Sequence, residues 1–155
     1  MIIVKKQKPQ EIDKIRKKIK RALDKRRYNH TVGVAYTAAA LAMRYDEDIK
    51  KAEWAGMLHD CAKCMDADEM LVLCDKHRIS ITDVERRNPF LLHAKLGGFL
   101  AMQQYGVTDK QIIAAIVNHT TGCPDMTTLE KIIFVADYIE PNRAKAPNLS
   151  AIRKL

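Results

Sequence analysis

The sequence predicts an all-α protein, and two observations support this prediction. Apolar residues recur three and four positions apart in seven segments, which is the spacing of one face of a helix. No segment shows the convincing alternation of apolar and polar residues that marks a half-buried strand. The length suits one domain, so we expect a single helical bundle over residues 1–155, with its core at about 10–143 and a C-terminal segment at 144–155.

Four helices are predicted in the first half of the chain, at residues 10–26, 30–45, 48–59 and 66–77. The polar residues 26–29 separate the first two, and Asn29 is expected to cap the second. His30 begins the second helix and His59 ends the third, each on the apolar face of its helix. Gly33, one turn after His30, is expected to leave room for a bulky group beside the histidine.

The stretch 78–89 is expected to cross the surface without regular structure. Three more helices are predicted at about 90–105, 108–118 and 127–139. Thr108 and Thr127 are each followed three residues later by Gln or Glu, which is the capping-box pattern. His93 and His119 lie on the apolar faces of the first two of these helices, and Asp137 lies on the inner face of the third.

Composition and cysteine content favour a cytoplasmic protein without membrane association. No apolar run approaches the roughly 20 residues that span a bilayer, and the N-terminus lacks an apolar stretch of signal-peptide length. Cys61 and Cys64 form a C-x-x-C pair, but Cys74 and Cys123 are isolated, so the second half of a zinc site is missing. Four free thiols in a reducing compartment are therefore expected.

The net charge of +8 is concentrated at the N-terminus. Residues 1–27 hold twelve basic and three acidic residues, a net charge of +9, and the remainder sums to −1. A nucleic-acid-binding module is one interpretation, and it predicts salt-dependent binding that is lost when this segment is deleted. Nucleic acid is the less favoured partner, because helix 10–26 has its own apolar stripe and no interleaved aromatic residues.

Histidine and aspartate residues at helix ends form the candidate site. Its candidate metal ligands are His30, His59, Asp60, His93, His119 and Asp137. Buried imidazoles and carboxylates must be paired or bind metal, and this set suffices for two ions, with Asp60 as a candidate bridge. The remaining histidine, His77, lies in a polar stretch and is expected on the surface.

The residues beside these ligands suit a polyphosphate substrate. Basic or hydrogen-bonding side chains adjoin the ligands at Arg27, Lys63, Lys95, Thr120, Thr121, Asn142 and Arg143. Guanidinium and ammonium groups offset phosphate charge, so their clustering next to metal ligands predicts phosphate chemistry.

The order H…HD…H…H…D on helices resembles the HD-domain phosphohydrolase superfamily. Five strings resemble one branch of it, the YqeK family: RYNHTVGV at 27–34, LHDCAK at 58–63, HAK at 93–95, HTTG at 119–122 and FVADYIEPNR at 134–143. The resemblance covers about residues 10–143. Two departures are that Cys123 stands where a basic residue is frequent and that family members continue for another helical segment beyond the length of this chain.

The resemblance implies a symmetrical bis(5′-nucleosyl)-tetraphosphatase, which splits diadenosine tetraphosphate at its centre into two ADP. The implied cofactor is iron, in one or two ions, with manganese or another divalent metal as alternatives. The nucleotide partner is diadenosine tetraphosphate or a product such as ADP or GDP, and a homodimer is left open. Another HD-domain hydrolase, acting on an alarmone or a cyclic dinucleotide, remains the alternative enzyme.

The resemblance also distributes roles among the candidate residues. It makes His30, His59, Asp60 and Asp137 the core metal ligands, whereas His93 and His119 complete a second metal site or contact phosphate. In a metal-assisted hydrolysis, Asp60 would also orient the nucleophile, and Lys63 and Arg143 would stabilise transition-state charge. The expected substrate contacts are Arg27, Gly33, Lys63, His93, His119, Thr120, Thr121 and Arg143.

Overall fold

The computed structural model describes residues 12–154, which form helices and no strands, as predicted. Its α-helices are α1 (Ile12–Ala22), α2 (Lys25–Arg44), α3 (Ile49–Leu58), α4 (Ala67–Lys76), α5 (Asp83–Arg87), α6 (Leu92–Gln103), α7 (Lys110–Asn118), α8 (Thr128–Ile139) and α9 (Leu149–Ile152). A 3₁₀ turn, Pro89–Leu91, leads into α6. Within the described range, no helix is long and apolar enough to cross a membrane.

The core lies between α2, α3, α6, α7 and α8, which pack against one another around fully buried aliphatic side chains. Each such side chain contributes about 1.5–3 kcal/mol when it leaves water. Gly56 lets α2 and α3 approach closely, because a Cβ there would lie 2.8 Å from the Cα of Ala35. This close packing brings the end of α3, where His59 lies, beside α2 and His30.

Two predicted helix starts are wrong, because in each case an aspartate, and not the expected residue, caps the helix. The Asp24 side chain accepts the Arg27 N–H at 2.8 Å, so α2 begins at Lys25, Asn29 is not its cap, and His30 lies in the second turn. Asp109, rather than Thr108, caps α7 by accepting the Gln111 N–H at 2.8 Å.

The stretch 78–89 is also more ordered than predicted. It contains the short helix α5, whose N-terminus has a capping box formed by Thr82 and Glu85. The other predicted capping box, Thr127 with Glu130, is confirmed at the start of α8. Helix α1 begins at Ile12, and the predicted helical residues 10 and 11, with the basic residues before them, lie outside the described range.

Candidate metal centre

Asp60 lies at the centre of a cluster that unites all six predicted ligands. Its Oδ2 lies 3.5 Å from His59 Nε2 and 3.9 Å from His30 Nε2. Its Oδ1 lies 3.3 Å from His93 Nε2 and 3.6 Å from His119 Nε2. Helices α2, α6 and α8 and the ends of α3 and α7 supply the cluster, and each oxygen of Asp60 is nearest to a different pair of histidines.

Main-chain carbonyls orient three of the four histidines. The Nδ1 atoms of His59, His93 and His119 lie 2.5–2.6 Å from carbonyl oxygens of the residue three positions earlier, Gly56, Phe90 and Ile116. Because a carbonyl only accepts, each Nδ1 carries the proton and each Nε2 lone pair is directed into the cluster. Neutral imidazole with a partner on its far nitrogen is the form that binds metal.

Glu140 supports the fourth histidine, and sequence reasoning missed it. Its Oε1 accepts the Nδ1–H of His30 at 3.0 Å, and the residue is fully buried. The sequence signals were its place in the string FVADYIEPNR and its position three residues after Asp137.

The orphaned histidine nitrogens test whether these residues fit a metal. The Nε2 atoms of His30 and His59 are buried and make no hydrogen bond with any group among residues 12–154. Asp137 Oδ1 lies 2.9 Å from His30 Nε2, but this contact is not aligned as a hydrogen bond. Buried polar atoms without partners are rare, and a metal ion is one explanation for them.

The donor atoms also have the proximity that metal binding requires. Three groups of donors have ligand atoms within 4.8 Å of one another: His30–His59–Asp60, His59–His119–Asp137 and Asp60–His93–His119. Imidazole nitrogen and carboxylate oxygen suit zinc, manganese and iron. The cluster therefore fits a divalent metal ion.

The two carboxylates have the ionised state that a ligand needs. Burial alone would raise the pKa of Asp60, but the imidazoles of His59 and His119 beside it hold it well below its usual range. The pKa of Asp137 is also lowered, because the nearby imidazoles of His30 and His59 outweigh the effect of burial. Burial lowers the pKa of His119, which favours its neutral form.

Basic and hydroxyl side chains border the cluster where the sequence predicted them. Arg27 Nη1 lies 2.8 Å from Asp60 Oδ2, and Arg143 Nη2 lies 2.8 Å from Asp137 Oδ1. Lys63 Nζ lies 3.1 Å from His93 Nε2, and burial lowers the pKa of this amine. The Thr120 hydroxyl lies 3.0 Å from His119 Nε2.

Other predicted contacts point elsewhere. Thr121 is exposed, with its hydroxyl near the Gly122 carbonyl, and Lys95 pairs with Glu85 at 2.8 Å. The space expected beside Gly33 is filled, because a Cβ there would overlap the Glu140 carboxylate.

The remaining histidine and the cysteines behave as predicted. His77 is exposed and its ring lies 4.4 Å from that of Phe99. All four cysteines are free thiols.

A basic groove opens beside the cluster. It has a volume of about 800 Å³ and shares His30, Arg27 and Arg143 with the cluster. Lys25, Arg26 and Lys145 complete its cationic lining. An anionic molecule in this groove would therefore reach the metal centre.

The fold and the cluster define a class of enzyme. Residues 27–142 match the HD domain, so the chain belongs to the HD-domain family, as the resemblance predicted. The protein is a hydrolase, and the HD domain indicates a metal-dependent phosphohydrolase that uses a divalent metal ion.

The relatives narrow this class. The chain is 46% identical over 137 residues, 88% of its length, to a Bacillus subtilis protein named "Bis(5′-nucleosyl)-tetraphosphatase, symmetrical", of which it covers 73%. A Halalkalibacterium halodurans protein of the same name is 44% identical over 135 residues, 87% of this chain and 71% of the relative. The crystal structure of a predicted HD superfamily hydrolase involved in NAD metabolism from Clostridium acetobutylicum matches with a TM-score of 0.90 and 40% identity, over 95% of this chain and 77% of that one.

Proposed function

We propose that this protein hydrolyses diadenosine tetraphosphate and related dinucleoside polyphosphates symmetrically, giving two nucleoside diphosphates. The observation that supports the proposal most is a cluster of six histidines and aspartates able to bind metal. Arg27, Lys63 and Arg143 border this cluster. A polyphosphate substrate needs such cations to offset its charge. The relatives named for this activity are similar in sequence to this protein over most of its length.

Two overlapping ligand sets would hold the metal. His30, His59, Asp60 and Asp137 form one set, and Asp60, His93 and His119 form the other. Asp60 belongs to both, because its two oxygens face different histidines. We propose iron as the metal, with manganese as the alternative, since both accept imidazole and carboxylate ligands.

In the reaction, one water molecule is added across the central phosphoanhydride and a nucleoside diphosphate leaves. A bound divalent metal supplies Lewis acidity and lowers the pKa of a water molecule. Lys63, Arg27 and Arg143 would bind the phosphate oxygens and offset the negative charge that grows in the transition state. Asp60 would hold the ligand geometry and orient the nucleophile.

The basic groove fits one half of such a substrate. Its volume of about 800 Å³ lies within the range of about 300–1,000 Å³ of small-molecule sites. Lys25, Arg26 and Lys145 would contact the phosphates of the nucleoside diphosphate half that extends from the metal centre into the groove. The free thiols suit a reducing compartment, and we place the reaction in the cytoplasm.

Product analysis tests the proposal directly. Purified protein with its metal content measured is incubated with dinucleoside tri-, tetra- and pentaphosphates, and the products are separated by chromatography. We expect ADP as the sole product from diadenosine tetraphosphate. ATP plus AMP would contradict symmetrical cleavage. Faster turnover of an alarmone or a cyclic dinucleotide than of diadenosine tetraphosphate would favour another type of HD-domain hydrolase.

A further inference from the structure

We propose that Glu140 is a positioning residue that directs His30 at the metal and fixes the turn that carries Arg143. We infer also that Gly33 is the residue that admits the Glu140 carboxylate. The inference deepens the proposed function and rests on it only for the identity of the metal ligands.

The Glu140 carboxylate uses its two oxygens for two different partners. Oε1 accepts the Nδ1–H of His30 at 3.0 Å, and Oε2 accepts the main-chain N–H of Asn142 at 2.7 Å. The side chain is fully buried. Burial of a carboxylate is costly unless its oxygens are satisfied, so both hydrogen bonds hold the side chain in one position.

Gly33 explains how a carboxylate fits beside α2. Glycine inside a helix costs stability relative to alanine, so its presence in a 20-residue helix calls for a packing reason. A Cβ at this position would overlap Glu140 Oε2 and lie 2.9 Å from Asn142 Nδ2. The absent side chain is therefore the space that Glu140 and Asn142 occupy.

Glu140 also organises the turn after α8, through its carboxylate and its main-chain carbonyl. Besides the bond from its main chain to Glu140, Asn142 donates from its side chain to the Asn29 carbonyl at 3.2 Å. The N–H of Arg143 donates to the Glu140 carbonyl at 3.1 Å, and its guanidinium reaches Asp137. His30 on α2 and the turn that carries Arg143 thus share Glu140 as a support.

Metal titration of the Glu140→Gln variant tests the inference. Glutamine keeps the shape of the side chain, but its carbonyl accepts from only one of the two donors, and its amide then faces the other. Metal-stripped full-length protein is titrated with Mn²⁺, and the binding phase absent from His30→Ala identifies the ion held by His30. We expect this phase to weaken by roughly 10- to 100-fold in Glu140→Gln, as for other partners of metal-ligating histidines.

Glu85→Gln is the matched control. Glu85 also accepts a main-chain N–H and a cationic side chain, but it lies at the start of α5, away from the cluster. This variant should bind Mn²⁺ with the affinity of the wild type. Wild-type affinity in folded Glu140→Gln would overturn the inference.

Gly33→Ala gives a second, independent test. The added methyl group should displace the Glu140 carboxylate and weaken the same binding phase, although alanine favours the helix. The double variant Gly33→Ala/Glu140→Gln should bind metal no more than about twofold more weakly than Glu140→Gln, because both changes break one contact. If the losses of metal affinity of the two single variants multiplied in the double variant, the two residues would not share one contact. Metal affinity is measured without substrate, so a wild-type protein inactive on diadenosine tetraphosphate would refute the proposed function and leave this result intact.

Discussion

Asp60 is the residue whose loss should do the most damage, because each of its oxygens faces a different pair of histidines. Asp60 is 3% exposed, and the histidines around it hold its pKa low, although burial alone would raise it. An amide of the same shape would offer one weak oxygen donor and no charge. Both proposed ligand sets would be affected at once.

We expect Asp60→Asn to lower turnover of diadenosine tetraphosphate by at least about a thousandfold, since several kcal/mol of charge stabilisation depend on the metals. Bound metal per chain should fall in parallel. Asp75→Asn, an exposed change on α4, is the control and should behave as the wild type. The role of Asp60 would be refuted if folded Asp60→Asn kept more than a tenth of wild-type turnover.

Helix ends are the elements that build the centre. His59 is the C-cap of α3 and His119 is the C-cap of α7, whereas Asp137 lies in the last turn of α8. Glu130 connects two of these elements, because it completes the capping box of α8 and accepts the Asn118 side chain at the end of α7.

Thr127→Ala removes one side of this capping box. We expect a loss of about 1 kcal/mol in the free energy of unfolding, measured by urea denaturation, since a main-chain donor of α8 loses its partner. Thr82→Ala breaks the equivalent box of α5 and serves as the control. Because α5 buries none of its residues, this change should alter global unfolding far less. Equal losses in the two variants would contradict the role assigned to the α8 box.

Glu130→Gln should show a pH-dependent loss of stability. Burial alone would raise the pKa of Glu130, but hydrogen bonds from Thr127 and Asn118 lower it below its ordinary value of 4.5. A lowered pKa adds stability above that value, and this contribution disappears as the pH falls through the folded-state pKa. The stability difference from wild type should therefore be full at pH 7 and shrink below about pH 4.5. A difference that is constant down to pH 3 would exclude this linkage.

The sequence predicted most of the elements, and its errors have local causes. Apolar periodicity identified the seven main helices, since each buries one face in the core. Asp24 and Asn29 are both of a type that caps helices, and the N–H that Asp24 accepts from Arg27 shows that Asp24 begins α2. The six residues of the cluster could be predicted because they are histidines and aspartates on apolar helix faces or next to helix ends. Glu140 was not, because its burial depends on Gly33, 107 positions earlier.

At the scale of the whole molecule, five helices converge on one cluster and a basic groove leads away from it. Much of the positive charge on the groove lies on exposed side chains, Lys25 and Lys145 among them. Exposed cations attract a polyanion over several ångströms and are screened by salt. They should therefore affect substrate capture more than the chemical step.

Lys25→Ala/Lys145→Ala should raise KM for diadenosine tetraphosphate by roughly three- to tenfold, since each exposed charge contributes up to about 1 kcal/mol. We expect kcat to stay within about twofold and the KM difference to shrink at high salt. Lys50→Ala/Lys110→Ala, an exposed pair outside the groove, should leave KM unchanged. An unaltered KM in Lys25→Ala/Lys145→Ala would show that the substrate does not bind in the groove.

Metal removal should destabilise the whole bundle, because the ligands come from five helices. A metal at 100 times its Kd adds about 2.7 kcal/mol, so chelation should lower Tm by roughly 5–10 °C in a protein of this size. Thermal scans with EDTA, and after Mn²⁺ is restored, measure the effect. His30→Ala should show a smaller shift. An unchanged Tm in the presence of EDTA would count against a metal ion bound by residues of these helices.

The supports of the four histidines differ in how easily a mutation removes them. Three are main-chain carbonyls, which every amino acid carries, so no missense change at Gly56, Phe90 or Ile116 deletes the acceptor. The fourth is a side chain, and a single base change in the Glu140 codon eliminates it. Inherited loss of metal binding without loss of a ligand should therefore concentrate at Glu140 and at Gly33, which makes room for it.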